Sequence, residues 1–451
     1  MGGRTRKRLI PFPGVVRPGR AVRLVAALVA LTALGPTAAL AEIQEASGDL
    51  LAEIAAIRAL MPGRGSEGFV RPSGAEIDRW RPVMEALLDE DIDVADSLLA
   101  TDFPEYLIFH FIDTGFDSSE YYLVREPSPV VLGWGTFIMR VCHERELAVE
   151  VPHPLYDIST PLEGADIFRR VGARFFIMAG THRCANGAHS PCDGATDACG
   201  DGVYHQSDTG HVTQSMYEAA HEVFTVRYPV GYALSLHGNG RSSCEDIFLS
   251  NGHATDSKQV LYDLREQMLA AGGVTVGIAG DGVSSCQLPG STNVQGRFTN
   301  GSSDPCLEEV SSTTGFFIHA EQQRRVRDSV SVYSKLIAAI EAVIPEVCAS
   351  VPPADGTRTR GYLVGLSLSL ACPNPCVGSA ALALSVTEAR RVKVEAYSAL
   401  GRRVAVLYDG VVTPGGPLTL AFGARELPSG LYFVRASSGG QAATRAVTIL
   451  K

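Results

Sequence analysis

The sequence predicts an α/β chain: a mixed central sheet flanked by helices, followed by a small C-terminal β-sandwich. Three observations predict it. From about residue 146 to 345, short apolar runs alternate with stretches of helical period, the pattern of a sheet built with crossover helices. "VPPADGTRTRG" (351–361) then interrupts the pattern with Pro, Gly and Thr. Beyond it the helical period vanishes, and short β runs with Gly turns continue to Lys451. A chain of 451 residues is too long for one ordinary core, and 45% hydrophobic with 20% charged residues is a globular composition.

Taken in order, residues 1–41 read as an export signal. Seven Arg and Lys residues precede and flank the apolar run "LVAALVALTAL" (24–34), which is too short to span a bilayer, and "ALA" (39–41) supplies the small residues of a cleavage site. Those seven are among the 39 basic residues, and none of the 49 acidic ones lies there, so the processed chain carries a net charge of −17. That charge excludes nucleic acid and anionic membrane surfaces as expected partners. No later apolar run reaches spanning length, so stable membrane insertion is not expected after cleavage. Residues 42–105 form an N-terminal segment with helical patterns over 45–61 and 74–99. The α/β core is assigned to 106–350, the linker to 351–363 and the sandwich to 364–451. Ten cysteines, an even count in a chain read as exported, suggest disulfides. Cys184, Cys192 and Cys199 sit in one Gly/Asp-rich loop that a bridge would pin, and Cys286 and Cys306 flank another. Their connectivity is left open.

Five apolar runs of the core end abruptly in polar residues. "LAVEVP" leads to His153, "ARFFIMAG" to Thr181, His182 and Arg183, and "YALSL" to His237. "VTVGIAG" leads to Asp281, and "GFFIHA" to Glu321. Open α/β sheets bind ligands beyond the carboxyl ends of their strands, so these ends are where a site is expected. His153 and Asp157, in "VEVPHPLYDIST" (149–160), are close enough to clamp one ion if the segment turns at Pro154. His237 would supply a third ligand, giving the nitrogen and oxygen set of a zinc hydrolase with one position left open. A turn cap for His153 and an Asx-turn or ion pair for Asp157 are the plain alternatives. Glu163 competes as the carboxylate, but "TPLEGADIFRR" reads as a capping box. Thr160 is the N-cap, Pro161 the first helical residue and Glu163 the third, which accounts for Glu163 locally. Glu321 is the expected general base, followed by an amphipathic helix with Val326, Val330, Ile337 and Val343 inward. Arg183 is the first candidate to anchor a substrate carboxylate, with His182 beside it. Arg324, Arg325 and Arg327 are further candidates, though a solvated helix face explains two of them. Asp208 or Thr209 is expected to cap a helix through Met216 and Val223, with His211 facing the site and His221 partly buried. "GSTNVQGRFTNG" (290–301) offers Asn293 and Arg297 to a polar substrate, but it lacks the lysine and spacing of a phosphate loop.

Two resemblances add to this. "CPNPC" (372–376), "VKVEAYSALGRRVAVLYDG" (392–410) and "LPSGLYFVRASSGGQAATRAVTILK" (427–451) resemble the C-terminal sorting domain of the type IX secretion system. That resemblance implies a β-sandwich, the type IX machinery as partner, and a protein secreted or held at the cell surface. Cys372 and Cys376 stand where that family carries aromatic residues, and a local disulfide would replace the lost packing. Over about 145–345, "PHPLYDIST", "GTHRCANG", "SDTGHVTQSMYEAAH", "LSLHGNG" and "FIHAEQ" look like the N-formylglutamate amidohydrolase and poly-gamma-glutamate hydrolase group, related in fold to the zinc carboxypeptidases. The resemblance implies one zinc held by His153, Asp157 and His237, with Glu321 as base. The His-Xaa-Xaa-Glu spacing of the carboxypeptidases is absent here; the acid is Asp157 at plus four.

The expected function is an exported, zinc-dependent hydrolase of peptide-like or N-acyl amino acid amide bonds. Its substrate is a small molecule or peptide, an acidic one being compatible with the arginines. The alternative is a secreted binding or adhesion protein on a degenerate hydrolase scaffold. A phosphatase using His182 as nucleophile is a third reading.

Overall fold

The computed structural model describes residues 43–347 and, between 366 and 450, the strands and several turns of the C-terminal module. The expected export signal and the expected linker, with Cys348 and Cys372, lie outside the described residues. No helix among the described residues is long and apolar enough to cross a membrane.

The chain runs β1 (Gln44–Gly48), α1 (Leu50–Leu60), α2 (Gly74–Leu88), α3 (Ile92–Asp102), β2 (Leu107–Asp113), β3 (Glu120–Arg125), β4 (Thr136–Arg140), β5 (Arg145–Val151), α4 (Thr160–Arg170) and β6 (Ala173–Met178). It continues through α5 (Met216–Arg227), β7 (Tyr232–Asn239), β8 (Ile247–Ser250), α6 (Gln259–Ala271), β9 (Val276–Ile278), α7 (Val294–Thr299), β10 (Phe317–Gln323), α8 (Arg324–Arg327) and α9 (Val330–Val343). The ten strands form one sheet in the order β1-β2-β3-β4-β6-β5-β7-β10-β8-β9. Its centre, β6-β5-β7-β10, is parallel throughout, and β4 and β8 bound it antiparallel.

Alternate strand residues feed two separate cores, as the two-residue period of a strand requires. Leu147, Val149, Val151, Phe176, Met178, Leu234 and Leu236 pack with α1, α4, α6 and α9. Ala148, Phe175 and Ile177 pack with α2, α3 and α5 on the opposite face. Trp80 is fully buried in this second core, edge-on to Phe103, Tyr106 and Phe137. The expected mixed sheet with flanking helices is therefore present.

Several local expectations change. The helix expected from residue 45 starts at Leu50, where the Asp49 side chain accepts from the Leu51 N–H. Residues 44–48 instead pair with β2 as an edge strand. The single helix expected after Glu321 is broken at Asp328–Ser329 into α8 and α9, which turns Val330 outward to 53% exposure. The helix expected from Asp208 starts only at Met216, capped by the Ser215 hydroxyl. Residues 209–211 form one 3₁₀ turn.

Among the described residues, three disulfides join Cys184–Cys199, Cys192–Cys306 and Cys244–Cys286. The first pins the Gly/Asp-rich loop as expected. Cys286 and Cys306, which flank one loop in sequence, each reach back to a different segment. Cys142 is free and exposed. Such pairs fit an oxidising compartment.

In the C-terminal module, β11 (Leu366–Leu370), β13 (Ser379–Val386) and β16 (Leu418–Gly423) form one sheet. The other contains β12 (Cys376–Val377), β14 (Arg390–Ser398), β15 (Arg403–Val412), β17 (Gly430–Ser438) and β18 (Gln441–Leu450). Leu368, Leu382 and Leu384 of the first share a core with Val392, Val394, Val434 and Val447 of the second, which makes a β-sandwich.

Glu146 fastens the two strands that lead to the site. Its carboxylate accepts from Arg174 Nε at 2.6 Å and Nη2 at 2.8 Å, with His143 Nε2 at 3.3 Å. Burial works against the charge, but His143 and Arg174 outweigh it and hold the carboxyl down at about 2. Because the folded value lies below the unfolded one, this stabilisation is present above about pH 4.5 and is lost as pH falls toward 2. In urea titrations across that window, the advantage of the native chain over Glu146→Gln should shrink by on the order of 3 kcal/mol. A gap that stays constant with pH would contradict this.

Candidate active site

Because β6, β5, β7 and β10 are adjacent and parallel, their carboxyl ends open on one edge of the sheet. Four of the five expected strand ends meet there. The fifth does not. β8 runs antiparallel to β10 and β9 follows β8, so β9 delivers Asp281 toward the opposite edge. There Asp281 pairs with Arg265 at 2.8 Å and accepts from the N–H groups of Val283 and Ser284.

"PHPLYD" forms a single helical turn. The Asp157 N–H donates to the His153 carbonyl at 2.9 Å, the bond that joins residues four apart. Residues so spaced share a face, and His153 Nδ1 lies 3.1 Å from Asp157 Oδ2. His237 Nδ1 lies 3.7 Å from the same oxygen. On the neighbouring strands, His237 is in register with Glu321, and Ser235 with His319. All four side chains therefore leave one face of the sheet. Ser235 Oγ is 3.0 Å from His237 Nε2, and the His237 and His319 rings are 4.4 Å apart. His319 Nε2 is 3.9 Å from Glu321 Oε1. His153, Asp157 and His237, and separately His237, His319 and Glu321, offer ligand atoms within 4.8 Å of one another.

Glu163 sits elsewhere, and not for the expected reason. There is no capping box. Ser159, in a left-handed conformation (φ 78°), is the N-cap, and the Thr160 hydroxyl donates to the Asp157 carbonyl. Glu163 is buried on the other face of the sheet, accepting from Gln322 Nε2 at 3.1 Å, and burial pushes its carboxyl up to about 8.

Asp208, freed from helix capping, is fully buried and lies 2.9 Å from His153 Nε2. Arg183 donates to its other oxygen through Nε at 2.9 Å and Nη2 at 2.5 Å. The expected substrate anchor is thus closed on the protein's own carboxylate, with the Tyr156 ring 5.2 Å from its guanidinium. Burial opposes the Asp208 charge, but Arg183 and His153 hold the carboxyl well below its usual range. Burial and Arg183 depress His153, yet Asp208 and Asp157 carry it above its ordinary value. Burial and the neighbouring imidazoles His319 and His153 lower His237, and burial brings His319 down to about 3. Burial, and then the Asp157 charge, push Glu321 up to about 8.

The donor set fits a metal ion. An ionised Asp208 calls for the proton of His153 on Nε2, which leaves the Nδ1 lone pair facing the Asp157 carboxylate. Two acceptors 3.1 Å apart need a second proton or a cation between them. Two imidazoles and one carboxylate are also a familiar zinc set with a position left open, and Asp208 stands where an outer carboxylate would orient such a histidine.

The other expected residues divide. Asn293 caps α7 by accepting from the Gly296 N–H at 2.9 Å. Its Nδ2 is buried with no hydrogen-bond partner among the described residues. A Cβ placed on Gly210 would lie 3.4 Å from both this nitrogen and His153 Nε2, so Asn293 borders the cluster. His182 is half-buried, its Nδ1 accepting from the Cys184 N–H at 3.0 Å. Arg297 is remote in role: it donates to both oxygens of Asp193 and to the carbonyls of Ser291, Pro305 and Cys306. Arg324 and Arg325 pair with Asp328 and Asp246, whereas Arg327 is buried and donates to the Ile158 carbonyl. His211 comes alongside His153, rings 6.5 Å apart, and stacks on Tyr204. His221 is fully buried, 2.6 Å from Glu150. Asp208 and His319 were missed as site residues. His319 had a signal, since it stands two positions before Glu321 on one strand, which places both on one face.

Deleting either partner of Arg183–Asp208 leaves a buried charge without its forked partner. Arg183→Ala and Asp208→Ala should each destabilise by about 3–5 kcal/mol. The double variant should lose clearly less than the sum in a denaturation cycle. Additive losses would show that the pair is not coupled.

No family model and no curated protein matches the chain. Weak structural neighbours include N-formylglutamate amidohydrolase from Ralstonia eutropha JMP134, at 15% identity and TM-score 0.28 over 47% of this chain and 95% of that one. Dimeric latent PorU from Porphyromonas gingivalis matches at 18% identity and TM-score 0.17 over 21% of this chain. The chain spans 10% of the length of that protein. The CARDB domain of the PF1109 protein from Pyrococcus furiosus, in complex with di-metal ions, matches at 15% identity and TM-score 0.16, over 21% of this chain and all of that domain. At these scores the likeness bears on neither activity nor site residues.

Proposed function

We propose that the chain is an exported, zinc-dependent hydrolase of amide bonds, acting on peptide-like or N-acyl amino acid substrates. The observation that carries the reading is the convergence of His153, Asp157 and His237 beside the buried Glu321 at one sheet edge. His153 and His237 would hold zinc through nitrogen and Asp157 through oxygen. Bound there, zinc would supply a Lewis acid for the substrate carbonyl and lower the pKa of water to roughly 7.

The remaining steps belong to the chain. Glu321 accepts the proton of the attacking water and passes it to the leaving nitrogen. Its unpaired Oε2 suits that task, and a cation at the cluster would favour its ionised form over the neutral one that burial favours. Asn293 donates from its free Nδ2 to a substrate oxygen, and His182 lines the approach. Arg183 acts by holding Asp208, which orients His153. The C-terminal sandwich serves as a type IX sorting signal, taking the protein through the periplasm and across the outer membrane to the cell surface or the medium.

Purified protein should bind zinc at the cluster, and His153→Ala or His237→Ala should abolish that binding. Glu321→Gln should keep the metal and lower kcat on an amide substrate panel by about 10²–10⁴-fold. Full metal content in both histidine variants would sink the metal assignment, and unchanged turnover in Glu321→Gln would sink the base. Bound zinc without turnover of any amide or ester would favour a binding protein instead.

A further inference from the structure

We infer that His189, Asp201 and His205 form a second site for a divalent transition-metal ion, of the zinc or copper class, in the disulfide-closed loop ahead of Asp208. The residues are distinct from the sheet-edge cluster. His189 and His205 are partners in an antiparallel bridge, which sets their imidazoles side by side with ring centroids 5.9 Å apart. The bridge is braced on both sides: the Ser190 N–H donates to the Tyr204 carbonyl and the Gln206 N–H to the Ala188 carbonyl. The Gln206 side chain adds a bond to the His189 carbonyl at 2.7 Å. Asp201 then closes the triangle, with Oδ2 at 2.7 Å from His205 Nε2 and 3.5 Å from His189 Nε2. The three ligand atoms lie within 4.8 Å of one another.

The loop is held ready for an ion. Cys184–Cys199 ends two residues before Asp201, and Cys192–Cys306 ties the segment after His189 to the chain beyond α7. Two ring nitrogens and one carboxylate select zinc, copper or nickel over calcium and magnesium, which prefer all-oxygen shells. His189 and Asp201 are exposed, so water completes the coordination. A simple His205–Asp201 ion pair would need no second imidazole, yet the bridge brings His189 to the same carboxylate oxygen. The site also has a target. The Asp208 N–H donates to the His205 carbonyl at 3.0 Å, so the turn that aims Asp208 at His153 and Arg183 begins at one of the ligands. An ion here steadies that turn from outside.

Zinc equilibrium dialysis with metal quantification on the full chain tests this. The native protein should bind two equivalents. His189→Ala and Asp201→Ala, both at exposed positions, should each bind one with unchanged circular dichroism. A His153→Ala/His237→Ala double variant should also bind one, and its combination with His189→Ala none. Zinc content unaltered by both His189→Ala and Asp201→Ala would overturn the inference. If the native protein binds a single equivalent that His189→Ala removes, this site stands and the sheet-edge metal assignment fails.

Discussion

The structure of the site depends on one buried chain of charges: Arg183 to Asp208, Asp208 to His153, His153 to Asp157. Each link compensates for the burial of the next. Asp208, fully buried, is tolerable because a forked guanidinium and an imidazole N–H share its two oxygens. His153, with both nitrogens committed, cannot rotate without breaking a charged hydrogen bond at one end. The backbone turn at residues 153–157 then fixes Asp157 relative to it. Geometry at the sheet edge therefore comes from electrostatic necessity as much as from packing.

The sheet contributes what a single loop cannot, which is a rigid relation between distant parts of the sequence. His237 and Glu321 are far apart along the chain, but parallel register sets them shoulder to shoulder. The imidazole of His319, kept neutral by burial, fills the space beside His237. Gly290, at φ 64°, lets its loop pass so close to that ring that a Cβ there would lie 2.7 Å from it, a contact no side chain would permit. The site is thus bounded by β5 and β6 on one side and by the loop before α7 on the other.

Much of this was legible. Apolar runs ending in His153, His237 and Glu321 mark strand ends by composition, and the two-residue period gives the face. The β-sandwich was legible from its short runs and Gly turns. What failed was decided by neighbours that local pattern cannot see. Thr160 and Glu163 have the spelling of a capping box, but Ser159 in a left-handed conformation takes the cap and Glu163 is drawn to Gln322 across the sheet. Arg183 and Arg297 look like free forks until Asp208 and Asp193, distant in sequence, close on them. Asp281 looked equal to the other strand ends because strand direction is not written in an apolar run. The edge strand Gln44–Gly48 has Ala46 alone as an apolar side chain to announce it, and its pairing with β2 makes it a strand.

Arg297 shows a second kind of design. Its guanidinium spans Asp193 and the carbonyls of Pro305 and Cys306, the two segments that the Cys192–Cys306 bridge also joins. The Asp193 N–H donates to the Cys306 carbonyl as well. The same junction is therefore fastened twice, once covalently and once by charge. The polar fastening uses neither sulfur, so it ties the two segments by contacts that do not depend on oxidation.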